Sequence, residues 1–222
     1  MADNVAMFPG TPAPSALLPM VSAGELSQRS VPPRMWLMDG WIPIQRATLL
    51  TGEGGSGKSL LAQQLATCAA LGRPFMGVQV RQANTLYVTC EDDMGELHRR
   101  QEAICRSMGV PMEGLGRSLL LLSRCGELDN SLLHFSVEGV MLSPFFQQIE
   151  ATLKAVTFSF LILDNIAHLF EGNENVRQHV AVFCNALEAL CRSVGGLTIL
   201  FLGHPSKAGA QFSGSTAWEN QV

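Results

Sequence analysis

A chain of 222 residues is long enough for one α/β domain with appendages and a substantial core. It is 47% apolar and only 15% charged, a balance that excludes an intrinsically disordered protein. The formal net charge of −4 argues against a broad basic face clamped on duplex DNA, but not against a ring that grips single strands through a few loop residues.

Six cysteines (Cys68, Cys90, Cys105, Cys125, Cys184 and Cys191) form no C-x-x-C pair and lie at no zinc spacing from a histidine. Most sit in apolar runs, where reduced cysteine serves as a small hydrophobe. No basic segment followed by an apolar run opens the chain, and no apolar run approaches the ~20 residues of a membrane span. A cytoplasmic, reducing location without a membrane partner is expected.

Residues 1–33 are rich in Pro, Ala and Ser and read as a flexible arm, with one helical turn over Ala23–Gln28. Residues 34–222 read as the core. Trp36 and Trp41 come first; they either line a base pocket or seal a sheet edge, the commoner use of large aromatics. Ala47–Thr51 predicts a short buried strand and Leu60–Ala66 a helix, which Gly72-Arg73-Pro74 ends.

Between that strand and helix lie Gly52, Glu53, Gly54, Gly55, Ser56, Gly57, Lys58 and Ser59, then Leu60. They fit G-x-x-x-x-G-K-[ST], a phosphate-binding loop, in the strand–loop–helix context it requires. Glycines let the backbone wrap a phosphate closely. Successive N–H groups and the helix N-terminus then attract the anion. Lys58 is expected to reach the β- and γ-phosphates of a nucleotide, and Ser59 to hold Mg²⁺.

Asn84–Cys90 predicts a second buried strand, followed at once by Glu91-Asp92-Asp93. Carboxylates at the C-terminal end of a strand stand where open α/β sheets place their chemistry. One of the three is expected to cap the helix Met94–Met108 instead, with Asp93 the candidate. Gly109–Arg117 reads as a loop and Leu119–Leu122 as a strand. Residues 123–142 carry little pattern; Cys125–Ser131 is loop-like, and a small hairpin or an irregular segment follows. Ser143-Pro144 supplies a cap and first residue for a helix over Phe145–Val156.

Phe158–Asp164 is an apolar strand ending in an acid, Asp164, which fits either a turn aspartate or, beside the phosphate loop, a magnesium-site carboxylate. Asn175–Val194 shows a core-facing stripe and ends at Gly195-Gly196. Leu197–Leu202 predicts another buried strand, running into Gly203-His204-Pro205-Ser206-Lys207. Ala208–Thr216 is rich in Gly, Ala and Ser and expected to be mobile. The chain then stops without a closing strand, from which a C-terminally incomplete core is expected.

Strands alternating with helices predict a mostly parallel central sheet flanked by helices, with right-handed crossovers. Its strand ends would gather the phosphate loop, Glu91, Asp164 and His204. ATP hydrolysis needs held phosphates, bound Mg²⁺, an oriented water and stabilised γ-phosphate charge. Glu91 is the candidate for the water and Asp164 with Ser59 for the metal. His204 fits either a γ-phosphate sensor or a structural histidine. His98, His134, His168 and His179 read as surface or packing.

These residues together resemble the RecA-like core of the RepA family, the AAA-type hexameric replicative DNA helicases of plasmids, and their phage and integrated-element relatives. The likeness spans roughly residues 34–222. It rests on Trp36-Leu37 with Trp41-Ile42-Pro43, Gly52–Ser59, Thr89-Cys90-Glu91-Asp92, Leu163-Asp164-Asn165, Phe170–Asn175, His204-Pro205-Ser206-Lys207 and Ser213–Trp218. The resemblance implies a RecA-like P-loop NTPase fold, ATP and Mg²⁺, a homo-oligomeric ring and single-stranded DNA. It makes Glu91 the catalytic glutamate, with Lys58 and His204 in the catalytic set. It puts Arg100, with Arg99 beside it, near the nucleotide, and has His204 couple hydrolysis to the ring. It puts 168–177 and 207–216 on the channel, where Lys207 contacts DNA or a neighbour's nucleotide, unless it is only a solvated surface lysine. The family's arginine finger falls beyond Val222, so weak hydrolysis and poor ring assembly are expected of a chain that truly ends there. Two other functions remain open: a regulatory or DNA-repair ATPase, and a nucleotide-binding remnant.

Overall fold

The computed structural model describes residue 18, residues 20–204 and residue 218. Lys207 and the stretch 207–216 lie outside the described residues, as do residues 1–17.

The first described element is a single turn, α1 (Ala23–Leu26), capped by the Ser22 hydroxyl and burying nothing. Strands β1 (Trp36–Met38) and β2 (Ile42–Pro43) form a small antiparallel pair. Its Leu37, Met38 and Ile42 are buried. Trp41 is 70% exposed, so it seals no sheet edge, and neither tryptophan lines the pocket described below. The smaller aliphatic neighbours do the packing; Trp41 sits in the turn between the strands and faces solvent.

Then come β3 (Ala47–Thr51), α2 (Lys58–Leu71), β4 (Thr85–Thr89) and α3 (Met94–Met108). A 3₁₀ turn at Met112–Leu115 interrupts the expected loop before β5 (Leu119–Ser123). The poorly patterned stretch folds as a hairpin, β6 (Leu133–Ser136) and β7 (Gly139–Leu142). Helix α4 (Pro144–Ala155) starts at the Ser143 cap. Strand β8 (Phe160–Asp164), the turn α5 (Ile166–Leu169), α6 (Arg177–Val194) and β9 (Thr198–Gly203) complete the order. A four-residue turn such as α5 is too short to show helical periodicity.

Five strands make one sheet in the order β3-β9-β8-β4-β5, every pair parallel. This is a RecA-like P-loop NTPase fold, with helices on both faces of the sheet. Alternation along the strands explains the two cores. Leu86 and Val88, Leu161 and Leu163, and Ile199 and Phe201 face α4 and α6. Tyr87, Phe160 and Ile162, and Leu200 and Leu202 face α2, α3 and the β1–β2 pair. Strands buried on both faces read as continuous apolar runs because every side chain meets a helix.

Two features tie helices to this frame. Gln63, Thr67 and Gln101, all within 2% of full burial, bond one another between α2 and α3. On the other face, Phe170, Phe183, Phe201 and Trp218 pack with ring centroids 5.2–6.4 Å apart. All six cysteines are free, and only Cys125 is exposed. Among the described residues, no helix is long and apolar enough to cross a membrane.

Candidate functional site

Strand order decides where chemistry collects. Strands β3, β9, β8 and β4 are consecutive neighbours and parallel, so their C-terminal ends share one edge. Asp164 is the last residue of β8, and just past the strand ends come Gly52 onward, His204, Asn165 and Glu91. An open pocket of about 220 Å³ lies there. Gly55, Gly57, Lys58, Ser59, Leu60, Glu91, Arg100, Asp164, Asn165 and His204 line it.

The loop is built for close backbone approach. Gly55 and Gly57 have φ of 74° and 88°, the left-handed region that a side chain disfavours. A Cβ on Gly52 would stand 3.0 Å from the Ser56 hydroxyl and 3.4 Å from the Lys58 side chain, a tight fit that those side chains would have to yield to. Helix α2 begins at Gly57 with no side-chain cap, which leaves its first N–H groups free for an anion. Gly52, Glu53, Gly54 and Ser56 form the back of the loop and do not line the pocket. The Gly52 and Glu53 carbonyls instead accept from Lys58 Nζ at 2.7 and 2.9 Å.

The three acids after β4 divide into three tasks. Asp93 caps α3, its Oδ1 accepting from the Glu96 N–H at 2.7 Å. Asp92 pairs with Arg100 at 2.9 Å. Glu91 points into the pocket and accepts from Asn165 Nδ2 at 2.6 Å. Burial on its own would lower the Arg100 pKa; the Asp92 hydrogen bond and charge outweigh it and hold the guanidinium above its usual value. Gln63 Oε1 also accepts from Arg100 at 3.3 Å. Arg99 turns to solvent and pairs with Glu96.

Asp164 is 1% exposed. Burial raises its pKa, while hydrogen bonds from the Tyr87 and Ser59 hydroxyls pull it down and the Glu91 and Asp92 charges push it up. The Tyr87 hydroxyl donates to Asp164 Oδ2 at 2.6 Å. Burial and the Asp164 charge in turn push the phenol far up, so it stays protonated. Tyr87 is a site residue that the sequence reading missed. It sits inside an apolar strand, and only strand pairing sets it under Asp164. Asn165, part of the Leu163-Asp164-Asn165 motif, has no role legible in the sequence; its amide touches both Glu91 and His204.

His204 Nδ1 lies 3.2 Å from Lys58 Nζ. His168, read as surface, is half exposed with Nε2 3.8 Å from Glu91. His134 bridges Glu171 at 2.8 Å and Asp129 at 3.5 Å, away from the pocket.

The donors fit a hard cation. Ser59 and Asp164 offer oxygen only, and no group of three or more His, Cys, Asp or Glu side chains among the described residues could cage a metal. Magnesium is held this way, by one or two protein oxygens with substrate phosphates and water completing its shell.

A family model of the AAA domain matches residues 11–210. The chain belongs to that family and is a nucleotide-binding ATPase domain.

Proposed function

We propose that this AAA domain binds ATP with Mg²⁺, hydrolyses the γ-phosphate, and serves as one subunit of a ring-forming motor on single-stranded DNA. The observation that carries the hydrolytic part is the meeting of Lys58, Ser59, Asp164, Glu91 and His204 around one pocket from four separate strand ends. The loop from Gly52 to Leu60 holds the phosphates by backbone N–H groups, with Lys58 moving from its carbonyl partners to the β- and γ-phosphates. Ser59 and Asp164 would hold the metal, which when bound would neutralise phosphate charge. Glu91 orients the attacking water and takes its proton. Arg100, fixed by Asp92, lies beside the nucleotide. His204 senses the γ-phosphate.

The motor part rests on the likeness to plasmid replicative helicases in the motifs around Glu91, Asp164 and His204. In that reading residues 34–222 form the ATPase core, residues 1–33 are an arm, and the protein works in the cytoplasm. Lys207 would contact DNA or a neighbour's nucleotide. A regulatory or DNA-repair ATPase without helicase activity is the second reading; the acidic overall charge suits either.

Glu91→Gln tests the chemistry: binding of ATP should persist while turnover falls by about 10²–10⁴-fold, the usual worth of a positioned base. Normal turnover in that variant would remove Glu91 from the mechanism. Stimulation of hydrolysis by single-stranded DNA separates the two roles; a ring-forming protein that ignores DNA is not the motor.

A further inference from the structure

The proposed hydrolysis leaves one buried polar side chain in the pocket without a task. Asn165 is 1% exposed, and its orientation is settled by its own oxygen. Oδ1 accepts from the Ala167 N–H at 2.9 Å, capping α5, so the amide cannot be flipped without losing that bond. Nδ2 therefore faces the pocket and carries two hydrogens. One goes to Glu91 Oε1 at 2.6 Å and the other points at His204 Nε2, 3.3 Å away.

That arrangement sets a conflict at the imidazole. Nε2 faces an amide donor, and Nδ1 faces the Lys58 ammonium at 3.2 Å. A neutral imidazole has one lone pair to offer, so two donors compete for it. Lys58 already donates to the Gly52 and Glu53 carbonyls. The second Asn165 hydrogen has no other acceptor among the described residues. Asn165 is 1% exposed while the lysine contact is exposed, so solvent can take the third Lys58 hydrogen more readily than the amide's, and an unmet donor costs more at Asn165.

We propose that Asn165 is a positioning residue that holds the lone pair of His204 at Nε2. It thereby keeps the proton on Nδ1, the nitrogen that faces Lys58, while fixing the Glu91 carboxylate with its other hydrogen. The inference deepens the hydrolytic reading and rests on it for its consequence. When a nucleotide draws Lys58 onto its phosphates, Nδ1–H is left as a ready donor at the same spot. A histidine of the other tautomer would present a lone pair to the γ-phosphate and be repelled. Loss of the phosphate reaches Glu91 through a single amide, because His204 and Glu91 share it.

The first test needs no nucleotide. Nitrogen-15 NMR of the His204 ring in the nucleotide-free full chain should show Nδ1 protonated and Nε2 bare. An Nε2–H tautomer, or an imidazolium with both nitrogens protonated, overturns the proposal whether or not the protein hydrolyses ATP. The second test is Asn165→Asp. Aspartate caps a helix as well as asparagine does, so α5 keeps its cap while the NH₂ becomes an oxygen that faces both His204 and, at the 2.6 Å position, Glu91. The His204 signature should invert to Nε2–H. The kcat for ATP should fall about 100-fold, the scale of a misplaced reacting group, with KM little changed. Retained kcat in Asn165→Asp would reduce Asn165 to a helix cap and sink the assignment. If wild-type protein shows no ATP hydrolysis, the functional reading fails, while the imidazole signature still decides the role of Asn165.

Discussion

Helices α2 and α3 leave the same edge of the same sheet, yet they begin in opposite ways. Helix α3 opens on Asp93, whose carboxylate satisfies the Glu96 N–H at 2.7 Å. Helix α2 opens on Gly57 in the left-handed region, with no side-chain cap at all. The first satisfies one of its leading N–H groups with its own side chain and contributes stability. The second leaves N–H groups facing a pocket, and a phosphate would close them. The two starts stand one strand-end cluster apart, so the contrast follows from side-chain chemistry and not from position in the fold.

The contrast breaks most sharply at Lys58. Lys58→Ala should cut ATP turnover by about 10²–10³-fold, the worth of one preorganised electrostatic donor, with the melting temperature of the nucleotide-free protein little changed. An alanine variant that hydrolyses normally would mean that α2 opens on nothing functional. Next in size is Tyr87→Phe, which strips the 2.6 Å hydrogen bond from buried Asp164. A bond to a charged acceptor is worth about 1.5–3 kcal/mol, so denaturant unfolding should register a loss on that scale, together with weaker magnesium dependence. Unchanged stability would show that Tyr87 does not hold Asp164.

Asp93→Ala is smaller. Loss of the cap should cost about 1 kcal/mol of stability and leave nucleotide affinity alone. A fall in affinity instead would bring α3's start into the pocket and erase the contrast with α2.

Asp164 supplies a dependence on pH. Its folded-state pKa is raised by burial above the unfolded value. Its contribution is therefore fully present below the unfolded carboxylate pKa and is lost as pH rises through the folded value. In metal-free protein, Asp164→Asn should remove that loss, so melting scans at neutral pH should show equal or greater stability. The same variant should lose the protection that Mg²⁺ with ATP gives the wild type. A metal-free Asp164→Asn protein that is clearly less stable would contradict the burial argument.

The phosphate loop, its strand and its helix are legible in the chain because loop chemistry is local: glycine spacing, Lys58 and Ser59 are adjacent residues. Strands β4, β8 and β9 show as apolar runs because each is buried on both faces, β3 shows as a shorter run at the sheet edge, and the α3 and α4 caps show as Asp93 and Ser143. The hairpin β6–β7 and the turn α5 are too short for periodicity to register. At Trp41 aromatic size is a poor guide, because it predicts burial only where a neighbouring element offers a face, and among the described residues none covers that turn.

By itself the sequence determined that a phosphate-binding loop sits between a buried strand and a helix, and that Glu91, Asp164 and His204 each follow an apolar strand. Only the tertiary structure decided that those ends lie side by side. The order β3-β9-β8-β4 is set by how helices pack across the sheet, which no local pattern encodes. It also decided the two residues that hold the others: Tyr87 beneath Asp164, and Asn165 between Glu91 and His204. Their partners lie 39 to 77 positions away along the chain. A hydrogen bond across that separation exists only after the strands have paired.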